Sequence, residues 1–108
     1  MTILSQEQRI KLTDLFNNNK FSELEFEIES ISNFKDRPAF LANLLGVTKL
    51  KKQAISLKDF EEARKLFKDS YEKDPDYIDA MCNLGHVSLK LRNYEYIFKD
   101  LKRFVKNK

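Results

Sequence analysis

The sequence predicts an all-α protein, and three observations support this prediction. The chain of 108 residues contains only two glycines and two prolines, whereas folds made of many short strands need turn residues far more often. Apolar residues recur at intervals of three and four, which is the spacing of one helix face. Hydrophobic residues make up 42% of the chain, enough to fill the core of one domain. We therefore expect a single domain over residues 1–108, built from six helices in three hairpins.

The first hairpin is marked by signals at its helix ends. Ser5 and Gln8 have the spacing of a capping box, which predicts the start of a helix. The run Asn17-Asn18-Asn19 predicts its end, because Asn side chains compete for backbone hydrogen bonds. A second helix follows and ends before Pro38. Its predicted buried face carries Phe21, Leu24, Ile28 and Ile31.

Four further helices are predicted after Pro38. The third runs from about Pro38 to Leu57, and the fourth carries an apolar stripe that begins at Phe60 and ends before Pro75. The fifth spans residues 77–91, and the sixth begins near Tyr94. The connections are short, so neighbouring helices are expected to pack antiparallel.

An internal repeat links the second and third hairpins. A Leu-Gly pair occurs at residues 45–46 and again at 84–85, and between the two lie Ala63, then Phe67, then Pro75. This order resembles the tetratricopeptide repeat, in which small residues let helices cross closely. The resemblance implies three stacked helix-turn-helix pairs that form a short right-handed α-solenoid. Its repeats would cover about 5–37, 38–76 and 77–108.

The central repeat carries most of this resemblance. The chain as a whole is similar to the short, degenerate tetratricopeptide arrays of AT-rich bacteria. Gly46, Ala63 and Gly85 are expected at close helix crossings, and Phe67 is expected to fill the space between successive pairs. The two Leu-Gly pairs are 39 residues apart, against a period of about 34 in the family. In the outer repeats the small Ala is replaced, for example by Leu24, as is common in repeats that cap an array.

The resemblance also implies where a partner would bind. In such arrays the first helix of each pair lines a concave groove, which here would hold a protein or peptide partner. The mixture of one aromatic residue, small apolar residues and few charged groups suits an extended or helical peptide held by shape and a few hydrogen bonds. The candidate groove residues are Arg9, Thr13, Phe40, Asn43, Val47, Asp79, Cys82 and His86. The paired lysines with which some family members clamp a terminal carboxylate are missing, so that activity is not expected.

Catalytic and metal chemistry find little support in the sequence. The chain has one His and one Cys, and it lacks a glycine-rich phosphate loop. Cys82 and His86 stand four residues apart, which is the spacing of half a metal site, but no second pair of ligands accompanies them. Acidic residues alternate from Glu23 to Glu29, and alternate residues of a helix do not converge. We expect no enzyme activity, no metal and no cofactor.

The charge is distributed unevenly along the chain. Residues 1–36 contain four basic and seven acidic side chains, whereas residues 90–108 contain seven basic and two acidic ones. The basic stripe of Lys99, Lys102, Arg103 and Lys106 is interpreted as a solvated cap, so nucleic acid is not an expected partner. Phe98 and Val105 form a second apolar strip, which indicates a dimer contact, a partner contact or a covering domain.

Three functions follow as hypotheses. The first is a scaffold that binds a peptide or partner protein in the groove. The second is an accessory N-terminal domain of a larger bacterial transferase, since such enzymes often begin with repeats that look like residues 43–47 here. The third is self-association, in which the acidic N-terminal pair meets the basic C-terminal helix of another copy. Residues 1–7 lack a signal-peptide pattern and no apolar run approaches ~20 residues, so a cytoplasmic location without a membrane span is expected.

Overall fold

The computed structural model describes the backbone of residues 4–106 and the side chains of residues 4–93. Within that range the chain forms five helices and no strand, which confirms the all-α prediction. Each helix packs against the next one in the chain, and the molecule measures 59 × 29 × 20 Å along its principal axes. The helices are α1 (Gln6–Asn17), α2 (Phe21–Ile31), α3 (Ala39–Lys49), α4 (Leu57–Lys73) and α5 (Ile78–Lys106).

The first hairpin begins and turns as the sequence predicts. The Ser5 hydroxyl accepts a hydrogen bond from the Gln8 backbone N–H at 3.1 Å, and the Gln8 side chain accepts one from the Ser5 N–H at 2.9 Å. The capping box is therefore confirmed. Asn19 adopts a positive φ of 59°, a left-handed conformation that Asn tolerates better than most residues. This reversal lets α2 pack back against α1.

The third helix is shorter than predicted. It ends at Lys49 rather than at Leu57, and residues 50–56 form an irregular connection to α4. Ser56 caps the new helix, because its hydroxyl accepts from the Asp59 N–H while the Asp59 carboxylate accepts from the Ser56 N–H. This reciprocal pair is a capping box with Asp in the place of Glu or Gln. It begins α4 where the sequence prediction had continued α3.

The predicted third hairpin is replaced by one long helix. The backbone of α5 continues without interruption from Ile78 to Lys106, so the predicted break before Tyr94 is wrong. Neither a glycine nor a proline follows Gly85 in this segment, and nothing else in it prevents helix propagation. The apolar positions also keep an unbroken alternation of four and three residues, which is typical of one continuous helix. These positions are 80, 84, 87, 91, 94, 98, 101 and 105.

The described core consists of two adjoining clusters. The first joins α1, α2, α3 and α4, and its buried members are Leu4, Leu12, Leu24, Ile28, Leu41, Leu45 and Leu66. The second joins α4 to α5 and contains Phe60, Ala63, Phe67, Val87 and Leu91. Because α4 contributes to both clusters, it holds the N-terminal helices and α5 in one body.

The two glycines of the repeat have different environments. A Cβ atom placed on Gly46 would lie 2.5 Å from Cε1 of Phe67, so α3 and α4 approach closely there, as predicted. Ala63 is fully buried. Gly85, in contrast, is exposed, and a Cβ atom there would meet nothing within 4 Å. The predicted close crossing at Gly85 is wrong, because α5 runs straight on and no described helix returns over that face.

A group of charged side chains ties α3 to its neighbours. Lys49, at the end of α3, forms ion pairs with Glu25 and Glu29 of α2 and with Glu62 of α4. Burial by itself would lower the pKa of Lys49, but the hydrogen bond to Glu25 and the three negative charges outweigh burial and raise that pKa. The ammonium group therefore stays charged and links three helices.

A second charged pair stabilises the start of α4. Lys52 Nζ donates to Asp59 at 2.8 Å. The hydrogen bond from Lys52 and those from the Ser56 backbone and hydroxyl hold the pKa of Asp59 well below its usual range. A carboxyl whose pKa is lower in the folded than in the unfolded state stabilises the fold above its unfolded pKa, and that contribution is lost as the pH falls.

We therefore expect Asp59 to make the stability of the fold depend on acid pH. At pH 7 Asp59→Asn should unfold at a lower urea concentration than the wild-type protein. The difference in urea midpoint between the two proteins should narrow once the pH drops below about 4, where an Asp in the unfolded chain becomes protonated. Urea unfolding followed by circular dichroism at pH 7 and pH 3 measures both values. An equal difference at the two pH values would show that the Asp59 charge does not stabilise the helix.

Candidate partner-binding surface

The candidate partner-binding surface runs along α3, from α1 at one end to α5 at the other. At the α1 end, predicted groove residues of α1 and α3 lie next to each other. The guanidinium carbon of Arg9 lies 5.5 Å from the centroid of the Phe40 ring, a cation–π distance. Thr13 follows Arg9 by one turn and is exposed, and its hydroxyl donates to the Arg9 carbonyl at 2.9 Å. Arg9 and Phe40 thus form one amphipathic contact, whereas the Thr13 hydroxyl hydrogen is used within its own helix.

The middle of the surface is a bridge between α3 and α5. Asn83 Nδ2 donates to Asn43 Oδ1 at 2.9 Å. Asn43 is only 8% exposed, so it serves mainly to join the two helices and offers little area to a partner. Asn83 is more accessible and retains its own carbonyl oxygen as an acceptor.

The far end of the surface is a pocket between α3 and α5, which we call the anchor pocket. Val47 and His86, both predicted groove residues, line it, and its volume is about 220 Å³. The apolar part of the lining consists of Val47, Leu50, Ile55, Phe60, Phe67 and Val87. The polar part consists of Lys51, Asn83, His86 and Lys90, so the lining carries two lysines and no acidic side chain.

The three predicted groove residues of α5 are exposed. Asp79, Cys82 and His86 follow the spacing i, i+3, i+7 and share one exposed side of that helix. Cys82 is a free thiol. Within the part of the chain that the structure describes, no three His, Cys, Asp or Glu side chains come close enough together to hold a metal ion.

Sequence reasoning missed several residues of the anchor pocket. Leu50, Lys51 and Ile55 reach it because residues 50–56 form a connection and not a continuation of α3. The signal that could have found them is the Ser56–Asp59 capping box, which places a helix start after this segment. Lys90 was also missed, and its Nζ lies 6.0 Å from the centroid of the Phe60 ring.

Two predicted contact residues cannot be placed on this surface. The side chains of Phe98 and Val105 lie outside the described part of the chain, although the backbone around them continues α5.

In the range that is described, none of the helices combines the length and the apolar character needed to cross a membrane. The chain matches no protein-family model, no curated protein and no solved structure.

Proposed function

We propose that this protein is a polypeptide-binding module of the tetratricopeptide-like kind, whose partner lies along α3 between α1 and α5. The observation that carries the proposal is the anchor pocket, an apolar cavity with a polar rim beside the predicted groove residues Val47 and His86. Binding sites for peptide side chains commonly combine such a concave apolar floor with a few polar groups.

The size and charge of the anchor pocket indicate the chemistry of the ligand. A volume of about 220 Å³ accommodates one large apolar side chain. Asn83 and His86 at the rim offer hydrogen bonds to a peptide backbone. Lys51 and Lys90 favour acidic residues next to the apolar anchor, because no carboxylate in the lining neutralises them. We therefore propose a segment with one large apolar residue and acidic flanks.

The Arg9–Phe40 contact extends the same surface toward α1. Phe40 and Val47 are seven residues apart on α3, which corresponds to roughly 10 Å along a helix. An extended peptide spans that distance with about three or four residues. Phe40 offers an apolar ring, and Arg9 offers a positive charge at the second end. The ligand is therefore short enough to be selected from a library of linear peptides.

Selection from a phage library of random dodecapeptides tests this function. We expect enriched peptides to share one large apolar residue beside Asp or Glu. Isothermal titration calorimetry should then show roughly fivefold weaker binding for His86→Ala, since one hydrogen bond is worth about 1 kcal/mol. Lys90→Glu should weaken binding more than His86→Ala does. Acidic residues next to the apolar anchor should then weaken binding instead of strengthening it.

Leu89→Ala is the matched control for these variants. Leu89 lies on the same helix but is exposed and does not line the anchor pocket, so its truncation should leave peptide binding unchanged. Failure to enrich any common peptide, or equal binding by the wild-type protein and both pocket variants, would contradict the proposed function.

A further inference from the structure

The α1–α2 hairpin presents an outer surface that is acidic and partly apolar, which we call the acidic end surface. Ile10 and Phe26 are exposed there, and the Phe26 side chain is 70% exposed. Two shallow grooves meet along Leu15 between the two helices. Their acidic residues are Glu7, Asp14, Glu23 and Glu27, against Lys11 and Lys20. Lys11 is already paired with Glu27 at 2.8 Å.

The α4–α5 pair presents a surface of the opposite sign, which we call the basic end groove. It encloses about 550 Å³ and is lined by four basic side chains, Arg64, Lys65, Lys68 and Arg92, and one acidic side chain, Glu61. On α5, Ile78, Met81 and Leu89 are exposed large apolar residues, and their spacing places them with the exposed Gly85 along one side of that helix, next to the groove residues Ser88 and Arg92. A monomer that exposes such a row next to a groove usually has a partner for it.

These two surfaces lie at opposite ends of the packing order, because α1 packs on α2 and α5 packs on α4. From their geometry and charge we infer that one copy of this chain binds another head to tail, with the acidic end surface of one copy in the basic end groove of the next. Opposite charges face each other in this arrangement, and the exposed apolar side chains of both surfaces become buried. An isologous pairing of either surface with itself would bring like charges together.

The dimensions of the two surfaces also agree. Helix α2 has 11 residues, which corresponds to about 17 Å. The apolar edge of α5 from Ile78 to Leu89 covers 12 residues, or about 18 Å. The backbone of residues 94–106 continues α5 and does not fold back over this edge, so the groove is open to a helix from another copy. The inference is independent of peptide binding at the anchor pocket.

Two charge reversals test the head-to-tail contact. Asp14→Lys changes the acidic end surface at an exposed position in the last turn of α1, where a positive charge suits the helix dipole. Arg64→Glu changes the basic end groove at an exposed position. Each variant keeps one intact surface, so a mixture of the two can form one wild-type contact per pair of molecules. Lys35→Glu, an exposed reversal that lines neither surface, is the control.

Sedimentation velocity at low salt over a range of protein concentrations provides the measurement. We expect the wild-type protein and Lys35→Glu to exceed the monomer mass of 12.8 kDa as concentration rises. Each single reversal should raise the dissociation constant roughly tenfold, and 0.5 M NaCl should weaken all association. An equimolar mixture of Asp14→Lys and Arg64→Glu should recover a dimer.

The mixture separates this contact from every other kind of self-association. A symmetric dimer through another surface would persist in the single variants and would gain nothing on mixing. Wild-type protein that remains at the monomer mass at all concentrations, or a mixture that associates no better than its components, would overturn the inference. Both results leave the peptide-binding measurements unaffected.

Discussion

Phe67→Ala is expected to remove about 3–5 kcal/mol from the free energy of unfolding, the largest effect of any single truncation in the described core. The Phe67 ring is only 1% exposed and belongs to the cluster that joins α4 to α5. It also lies against Gly46 of α3, so its removal opens a cavity where three helices meet. A domain of this size has only about 5–15 kcal/mol of total stability.

Chemical denaturation of Phe67→Ala measures this loss, and Phe26→Ala provides a matched control. Both variants remove the same atoms, but Phe26 is 70% exposed on α2, so its truncation should change stability by no more than about 0.5 kcal/mol. Similar midpoints for the two variants would contradict the position of Phe67 in the core. A complete loss of cooperative unfolding in Phe67→Ala alone would agree with the predicted effect.

The same substitution at the two glycines is expected to have opposite effects. Replacing a glycine inside a helix by alanine stabilises the helix by about 1 kcal/mol when there is room for the methyl group. Gly85 has that room, so Gly85→Ala should raise the unfolding free energy by up to about 1 kcal/mol. At Gly46 the new Cβ atom would lie 2.5 Å from the Phe67 ring. Overpacking of about 1–3 kcal/mol should make Gly46→Ala destabilising.

Thermal and urea unfolding of Gly46→Ala and Gly85→Ala, measured side by side, tests this contrast. The double variant Gly46→Ala with Phe67→Leu should be less destabilised than the sum of its single variants, because the smaller side chain leaves space for the methyl group. The Phe67 ring also lines the anchor pocket, so its displacement in Gly46→Ala should weaken peptide binding. A stabilising Gly46→Ala would mean that α3 and α4 do not approach closely at this position.

The proposed activities use separate parts of a short row of helices. The anchor pocket lies between α3 and α5, whereas the acidic end surface and the basic end groove lie on the two terminal helix pairs. Head-to-tail association would therefore leave the anchor pocket of every copy accessible. It would present several copies of a weak peptide site in one assembly, which raises the apparent affinity for a ligand with repeated motifs.

Several local features could be predicted from sequence because neighbouring residues decide them. The Ser5 capping box and the end of α1 at the Asn17-Asn18-Asn19 run depend on side chains within a few positions of the backbone that they complete. The close helix crossing at Gly46 was also predictable, since the repeat pattern places a small residue there. The end of α3 could have been predicted too, because Ser56 and Asp59 form a local signal of the same kind.

The candidate site was predicted less completely than the helices. Of the eight groove residues that the repeat pattern selected, the structure places Arg9 next to Phe40, and it places Val47 and His86 in the lining of one pocket. The repeat pattern did not select the pocket residues supplied by the connection 50–56, because the path of an irregular segment depends on what it packs against. It also treated Asn43 as a ligand contact, whereas the described structure buries it as a bridge to Asn83.

By itself, the sequence determined that this chain is helical, where its first helix begins, and that α3 makes a close crossing at Gly46. These properties follow from side-chain periodicity and from hydrogen bonds over a few residues. Only the tertiary structure decided that α5 continues past Leu91 and that Gly85 is uncovered. Leu91 packs in the α4–α5 cluster. A helix without a breaking residue turns back only where the returning segment packs favourably against the rest of the fold. Whether such packing is available depends on surfaces that are distant in the sequence.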